Sequence, residues 1–301
     1  MNGVLNFYKN AGMTSHDCVN KLRRIYKTKK VGHTGTLDPM ATGVLPMLIG
    51  NAVKASEYIM SEKKTYVAGM RFGFLTDTED TSGVVTESGA RLPEIDEVRA
   101  AVSSFVGGYM QTPPIYSAIK KDGKKLYELA RAGISVAREP RRVEIYSAEL
   151  LSRQNQTDYL FQVTCSKGTY IRTLITDIAA RLDTLAVMYS LTRTETCSFD
   201  ITDAVSLERL ETLADDPAAL ESLLVPVERV FSDLPEVRLN AFYSRLAKNG
   251  CEIYVNKAGL DNSLPIGSMV RFYDDTGAFF ALARVGTFND KTAVKPCKFF
   301  M

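Results

Sequence analysis

Tyr66, Ala68, Met70, Phe72 and Phe74 recur at every second position. Successive side chains of a β-strand point to opposite faces, so this period predicts a sheet with one face against a core. Strand-like segments also fall at residues 3–8, 44–49, 143–151 and 159–165. Helical patterns interrupt them. Thr14 can cap a helix and Asp17, three residues on, can complete a capping box. Val19, Leu22, Ile25 and Tyr26 follow on one face, while Lys21, Arg23, Arg24 and Lys27 point elsewhere. Further helices are expected over residues 92–106, 125–132 and 169–182, the last with Ile171, Leu174, Ile175 and Ile178 in one stripe. Residues 32–43 read as a loop, and Pro113-Pro114 exclude regular helix from residues 111–121. Strands and helices mix without strict β-α-β alternation, which predicts an α+β fold.

The chain of 301 residues exceeds the ~250 at which single cores stop growing, so two domains are expected. An acidic, helical stretch at residues 206–230 ends in a change of character near Leu234-Pro235. Short strands at residues 270–273 and 279–285 then flank the turn Asp274-Asp275-Thr276-Gly277. The expected division is residues 1–232 and a small β-rich domain over 233–301. Hydrophobic residues at 45% and charged residues at 24% describe an ordinary globular protein. No apolar run approaches the ~20 residues needed to span a bilayer, and residues 1–9 lack the pattern of a secretion signal. Five scattered cysteines, never in a C-x-x-C pair, predict reduced thiols and a cytoplasmic location.

Charge is unevenly spread. Residues 1–71 hold eleven Lys/Arg against four Asp/Glu, residues 117–142 eight against three, and residues 200–236 two against ten. A basic side for a polyanion and an acidic part turned away fit this distribution, although solvated faces alone also produce such clusters.

Several chemistries are excluded quickly. Two histidines, His16 and His33, and no cysteine pair leave no basis for a zinc site. There is no G-x-S-x-G elbow, no Gly-Lys-Ser/Thr phosphate loop and no dinucleotide fingerprint, so neither metal nor cofactor is expected. What stands out is Gly32-His33-Thr34-Gly35-Thr36-Leu37-Asp38-Pro39-Met40-Ala41-Thr42-Gly43. Glycines and a proline shape the backbone, and the proline holds Asp38 extended. A rigid loop that presents one carboxylate suits positional chemistry, but an Asp-Pro turn capping its own backbone is the commoner meaning.

The loop resembles the signature of the TruB family of tRNA pseudouridine synthases. Other segments extend the resemblance in the expected order. Lys9-Asn10-Ala11-Gly12-Met13-Thr14-Ser15 resembles the family's K-P-x-G-x-T-S. Thr112-Pro113-Pro114-Ile115-Tyr116-Ser117-Ala118-Ile119-Lys120, with Gly123-Lys124-Lys125-Leu126-Tyr127-Glu128-Leu129-Ala130-Arg131, is similar to its RNA-embracing insertion. Cys165-Ser166-Lys167-Gly168-Thr169-Tyr170-Ile171-Arg172-Thr173-Leu174 resembles its second active-site segment, and Leu191-Thr192-Arg193-Thr194 its L-x-R-T element. Asn10 stands where the family has proline, and Cys197 where it has glycine.

The resemblance implies isomerisation of uridine 55 in the T arm of tRNA, without cofactor, by base flipping. It implies a mainly antiparallel sheet flanked by helices, a thumb-like insertion at about residues 114–142, and a C-terminal domain of PUA type. Asp38 is the implied catalytic residue. Tyr66 stacks on the flipped base, Arg172 ion-pairs with Asp38 and keeps it ionised and oriented, and Asp80 is that arginine's second partner. Tyr170 and Leu191 line the pocket, and His33 fills the place the base vacates. Taken alone, Tyr66 is an ordinary half-buried strand tyrosine, His33 a turn residue, and Leu191 and Tyr170 core. Phosphate contacts are expected from Lys9, Lys120, Lys124, Lys125, Arg131, Arg141 and Arg142, which position RNA without reading its bases. A monomer is expected. Two other functions compete. One is an RNA-folding chaperone, which has no need of Asp38, Tyr66 and Arg172 together. The other is a glycoside hydrolase, which needs a second acid within ~5–10 Å; the implied arginine partner of Asp80 argues against that.

Overall fold

The computed structural model describes residues 1–58, 63–116, 120–121, 124–125, 137–260 and 264–300, with backbone alone at 120–121 and 124–125. The chain begins with strand β1 (Gly3–Lys9), helix α1 (Ser15–Ile25), β2 (Val31–His33) and β3 (Thr42–Ile49). Next come β4 (Lys63–Phe72), a small hairpin β5 (Phe74–Thr76) and β6 (Val85–Ser88), α2 (Ile95–Ser103) and β7 (Gly107–Gln111). A second hairpin, β8 (Lys120–Lys121) and β9 (Lys124–Lys125), lies in the insertion. Then β10 (Arg141–Arg153), β11 (Asp158–Ser166), α3 (Ile171–Arg181), β12 (Ala186–Thr196) and β13 (Phe199–Asp200) complete most of the large sheet.

That sheet runs β14-β1-β3-β12-β4-β11-β10-β7, with β14 at Leu224–Val225. Its pairings among the described residues are antiparallel except one: β12 runs parallel to β3, with Thr192 opposite Thr42 and Arg193 opposite Gly43. On its other edge β12 pairs with β4, which sets Arg193 against Tyr66. The segment between β2 and β3 therefore opens onto the middle of the sheet. Helix α1, with Cys18, Val19 and Leu22 buried, and α3, with Leu174, Ile175 and Ile178 buried, cover the core side. The capping box is present: the Asp17 amide donates to Thr14 Oγ1 at 3.0 Å and the Thr14 amide to Asp17 Oδ2 at 2.9 Å.

A second sheet follows, in the order β15-β17-β18-β19-β16. Its strands are β15 (Glu236–Arg238), β16 (Ile253–Tyr254), β17 (Met269–Tyr273), β18 (Phe279–Phe288) and β19 (Lys291–Phe299). It curls as a half-barrel around its own core of Val237, Val255, Val270, Phe272, Phe280 and Val294. Phe231 and Leu282 meet Ala55 in a small apolar cluster that joins the two sheets.

Several elements differ from expectation for local reasons. The helix expected over residues 92–106 occupies Ile95–Ser103, because Pro93 precedes a capping box between Glu94 and Glu97. Helix α3 starts two residues later than expected, since Thr169 is held in a turn on Ser166. The acidic helical stretch is broken into α4 (Leu207–Thr212) and α5 (Pro217–Ser222), and a short 3-10 helix over Val227–Phe231 follows Pro226. Sequence patterns did not reveal α6 (Ala241–Lys248), capped by Asn240, nor β12 in full. The helix expected over residues 125–132 lies outside the described residues beyond Lys125, whose backbone is in β9.

Two positions carry backbone constraints. Gly43 has φ of 101°, and a Cβ there would lie 2.2 Å from the carbonyl oxygen of Arg193 on the adjacent strand. Cys197 and Ser198 form the two-residue link between β12 and β13, with φ of 53° and 60°. Positive φ at both positions is what a type I′ hairpin turn requires, a conformation that favours glycine where this chain has Cys197. Gly43→Ala is expected to destabilise the protein by about 3 kcal/mol or more, read as a lower Tm, and an unchanged Tm would contradict the packing described. Cys197→Gly is expected to stabilise it by about 1 kcal/mol; a loss of stability would show that the thiol contributes more than the turn costs.

Candidate active site

The loop that carries Asp38 is fixed from both sides. Leu37 donates its N–H to Ser15 Oγ at 3.0 Å, and Ser15 Oγ in turn donates to the Leu37 carbonyl at 3.2 Å. Beyond Asp38, Lys9 Nζ donates to the carbonyls of Asn10, Pro39 and Ala41 at 3.1, 3.2 and 2.6 Å. Lys9 is 0% exposed, and burial pulls its ammonium below the ordinary lysine range. This corrects the expectation of a phosphate contact, because an ammonium buried on three carbonyls has no path to RNA. Lys9 is instead the internal strut of the Asp38 loop. Leu37 and Ala41 are buried on either side, so the chain between them is presented as a rigid arch with Asp38 at its crown.

Arg172 faces that arch from the first turn of α3. Its Nε lies 3.1 Å from Asp38 Oδ2, with the arginine side chain 7% exposed and that of Asp38 36%. The remaining guanidinium nitrogens are also committed. One donates to the Thr78 carbonyl at 2.9 Å and lies 3.9 Å from Asp80 Oδ2; the other donates to the Tyr116 carbonyl at 3.0 Å. Asp80 is held by Thr78 Oγ1 at 2.8 Å and by the Ser82 amide at 2.9 Å. The structure thus brings Asp38, Arg172 and Asp80 together, with the buried arginine between two carboxylates.

Tyr66 and Leu191 lie on the sheet. Both are 7% exposed, on the adjacent strands β4 and β12. Burial pushes the Tyr66 phenol up from its ordinary range, only partly opposed by the nearby Arg193 guanidinium, so the ring stays neutral. Arg193 was not singled out from the sequence, yet it is 1% exposed and central. Its Nε donates to the Val44 carbonyl at 2.7 Å, and a second nitrogen to the Gly35 carbonyl at 3.3 Å, tying loop to sheet. The signal was available: Leu191 and Arg193 share one strand face, and a cation at an inward position needs a reason.

His33 sits at the end of β2, partly buried. Its Nδ1 has no hydrogen-bond partner among the described residues. Burial, then the Arg193 charge, lowers its pKa, which keeps the ring uncharged and suited to stacking. Tyr170 stands at the residue before α3, with the Arg141 guanidinium 5.0 Å from its ring centroid. Arg141 also donates to the Gly168 carbonyl at 2.7 Å, so it holds the turn that precedes α3. Arg142 is open to solvent, 3.7 Å from Glu144. The side chains of Lys120, Lys124 and Lys125, and all of Arg131, lie outside the described residues. No group of metal-ligating side chains occurs among the described residues.

Behind α3 lies a second set of acids. Thr173 Oγ1 donates to Glu79 Oε2 at 2.7 Å, and Asp177 is hydrogen-bonded to the Tyr109 phenol. Burial raises the Asp177 carboxyl to about 6 from 3.8, only partly offset by that phenol, and Glu79 is raised by the same cause.

The chain that carries this buried arginine, this accessible carboxylate and this mainly antiparallel sheet is similar to known proteins. Residues 23–171 match the model of the TruB family pseudouridylate synthase N-terminal domain, and residues 172–232 that of the tRNA pseudouridylate synthase B C-terminal domain. Fold and site together define a pseudouridylate synthase. The structure is also similar to a chain in the crystal structure of a Cbf5-Nop10-Gar1 complex, with a TM-score of 0.78 and 26% identity, covering 99% of this chain and 85% of that one. A chain of an archaeal box H/ACA Nop10-Cbf5 complex gives 0.76 and 25%, covering 99% and 86%. The tRNA pseudouridine synthase B of Clostridium perfringens strain 13 is 41% identical over 285 residues, 94% of this chain and 95% of its own length. That of Bacillus licheniformis is 45% identical over 255 residues, 83% of this chain and 82% of its own length. The chain belongs to the TruB family of pseudouridylate synthases.

Asp177 supplies a test of the packing behind α3. Its folded pKa lies above the unfolded value, so the stability that its protonated form contributes is present below about pH 4 and is lost as pH rises to about 6. Asp177→Asn removes this titration and keeps an acceptor for Tyr109. The variant's Tm relative to wild type is expected to be higher at pH 7.5 than at pH 4. A Tm difference that does not change with pH would contradict the burial of this carboxylate.

Proposed function

We propose that this enzyme isomerises uridine 55 in the T arm of tRNA to pseudouridine, with Asp38 as its catalytic residue. The observation that carries this reading is the Asp38–Arg172 pair. A carboxylate that is 36% exposed is held by an arginine that is 7% exposed, so the pair combines a fixed orientation with an accessible acid. The relatives at 41% and 45% identity are named for tRNA, which supports tRNA as the substrate.

The reaction breaks the bond between N1 of uracil and C1′ of the ribose, turns the base and joins C5 to C1′; C5 gives up its proton and N1 takes one. Atoms balance within the nucleotide, so no external group or electron is needed. The target base must leave its stack to reach Asp38; in this reading the neutral ring of Tyr66 stacks on the flipped base and that of His33 fills its former place. Tyr170 and Leu191 bound the pocket. Arg142 and the basic insertion at about residues 114–142 contact phosphates, and the T arm is recognised chiefly by shape. Residues 1–232 form the catalytic domain in this reading, and residues 233–301 a PUA-type module that extends the RNA contact. The protein acts as a monomer in the cytoplasm.

Asp38→Asn keeps the shape of the arch and removes the charge. It is expected to lower pseudouridine formation in a T-arm transcript by about 10³-fold or more while Kd for the RNA stays within about twofold. Normal product from this variant would remove Asp38 from the catalytic role.

A further inference from the structure

Helix α3 begins at Ile171 with no side-chain cap of its own: the residue at the cap position, Tyr170, makes none. Yet two pocket residues, Tyr170 and Arg172, depend on where this turn sits. The missing restraint comes from Gln111, the last residue of β7. Its Oε1 accepts from the Tyr170 N–H at 2.8 Å, and its Nε2 donates to the Tyr170 carbonyl at 3.0 Å. The same nitrogen donates to the Tyr109 phenol at 2.5 Å. Gln111 is 0% exposed, so all three bonds are shielded from water.

We propose that Gln111 is a positioning residue for the Asp38–Arg172 pair, acting by clasping both polar groups of Tyr170 and so fixing the first turn of α3. This inference rests on the assignment of Asp38 and Arg172 to catalysis. A primary amide carries a donor and an acceptor side by side at every pH, which a residue's own N–H and C=O require. Gln111 also stands at the root of the insertion. Five residues on, the Tyr116 carbonyl accepts from Arg172, and the Pro113 carbonyl accepts from Arg138, three residues before β10, at 2.9 Å. The clasp therefore fixes α3 and the start of the insertion to one another at the point where the arginine reaches across. On the opposite side, the bond from Thr173 to Glu79 completes the grip on this turn.

Two variants test the proposal in single-turnover pseudouridine formation on a T-arm transcript, with wild type and Asp38→Asn alongside. Gln111→Met fills the space without either hydrogen bond. The chemical rate is expected to fall about 10- to 100-fold with Kd for the RNA within about twofold, as follows when a reacting group is misplaced by up to an ångström. Gln111→Glu has a pH signature. Protonated, its carboxyl group reproduces the donor–acceptor pair of the amide; ionised, it loses the donor and faces the Tyr170 carbonyl with a charge. The charged or titratable groups around this position are Tyr109 on the same strand, Asp177 on α3 bonded to that phenol, Cys165 on β11, and Arg141 on β10, the cross-strand partner of Gln111. Division by the wild-type rate at each pH removes their own titration. The ratio of Gln111→Glu to wild type is expected to rise by about tenfold between pH 8.5 and pH 6, whereas that of Gln111→Met stays flat. A wild-type rate in Gln111→Met overturns the proposal. So does a flat ratio in Gln111→Glu, or a loss confined to Kd; should Gln111→Met not fold, the glutamate ratio decides alone. An inactive wild type would instead overturn the underlying assignment of function.

Discussion

A single guanidinium holds the site together. Arg172 takes the Asp38 carboxylate on one edge, and the Thr78 carbonyl, the Asp80 carboxylate and the Tyr116 carbonyl on the others. These partners come from three segments far apart in sequence: the loop before β3, the hairpin after β4 and the root of the insertion. A charge buried this deeply is tolerable only with most of its donors satisfied, and removal of one partner would leave the rest unbalanced. The planar fork of arginine fits such a set of acceptors, while a lysine ammonium has neither the spread nor the fixed directions.

Rigidity on the other side of the pair comes from backbone groups. Ser15 grips Leu37, Lys9 grips Pro39 and Ala41, and Arg193 grips Gly35 and Val44. Two cations are spent inside the protein to shape one loop of an RNA-binding enzyme. The parallel pairing of β3 with β12 makes this possible, because it sets Arg193 directly opposite Gly43, where any side chain would collide. Catalytic geometry of this kind depends on the sheet as much as on the loop.

Much of the sheet was legible in the sequence, because alternation in β4, β10 and β11 reflects one buried face. The strand β12 was not, since it is buried on both edges and carries Arg193 inward, which breaks the apolar pattern. The residues of the pair itself were legible only by resemblance: Asp38 before a proline reads as a turn, and Arg172 sits within an apolar helical stripe. Lys9 shows the limit most clearly. Its charge pointed to RNA, but its surroundings, formed by residues thirty positions away, turn it into an internal strut. Gln111 carried no signal of its own, because a clasp on a distant backbone leaves no local periodicity.

The most direct test of this account is the single-turnover rate of Arg172→Lys on a T-arm transcript, with Kd measured in parallel. Lysine keeps the charge and loses the fork. If the arginine organises the site through its several directed bonds, the rate falls by about 10²-fold or more while Kd stays within about twofold. A rate within about twofold of wild type would contradict the account, because charge alone would then suffice to hold Asp38 in place.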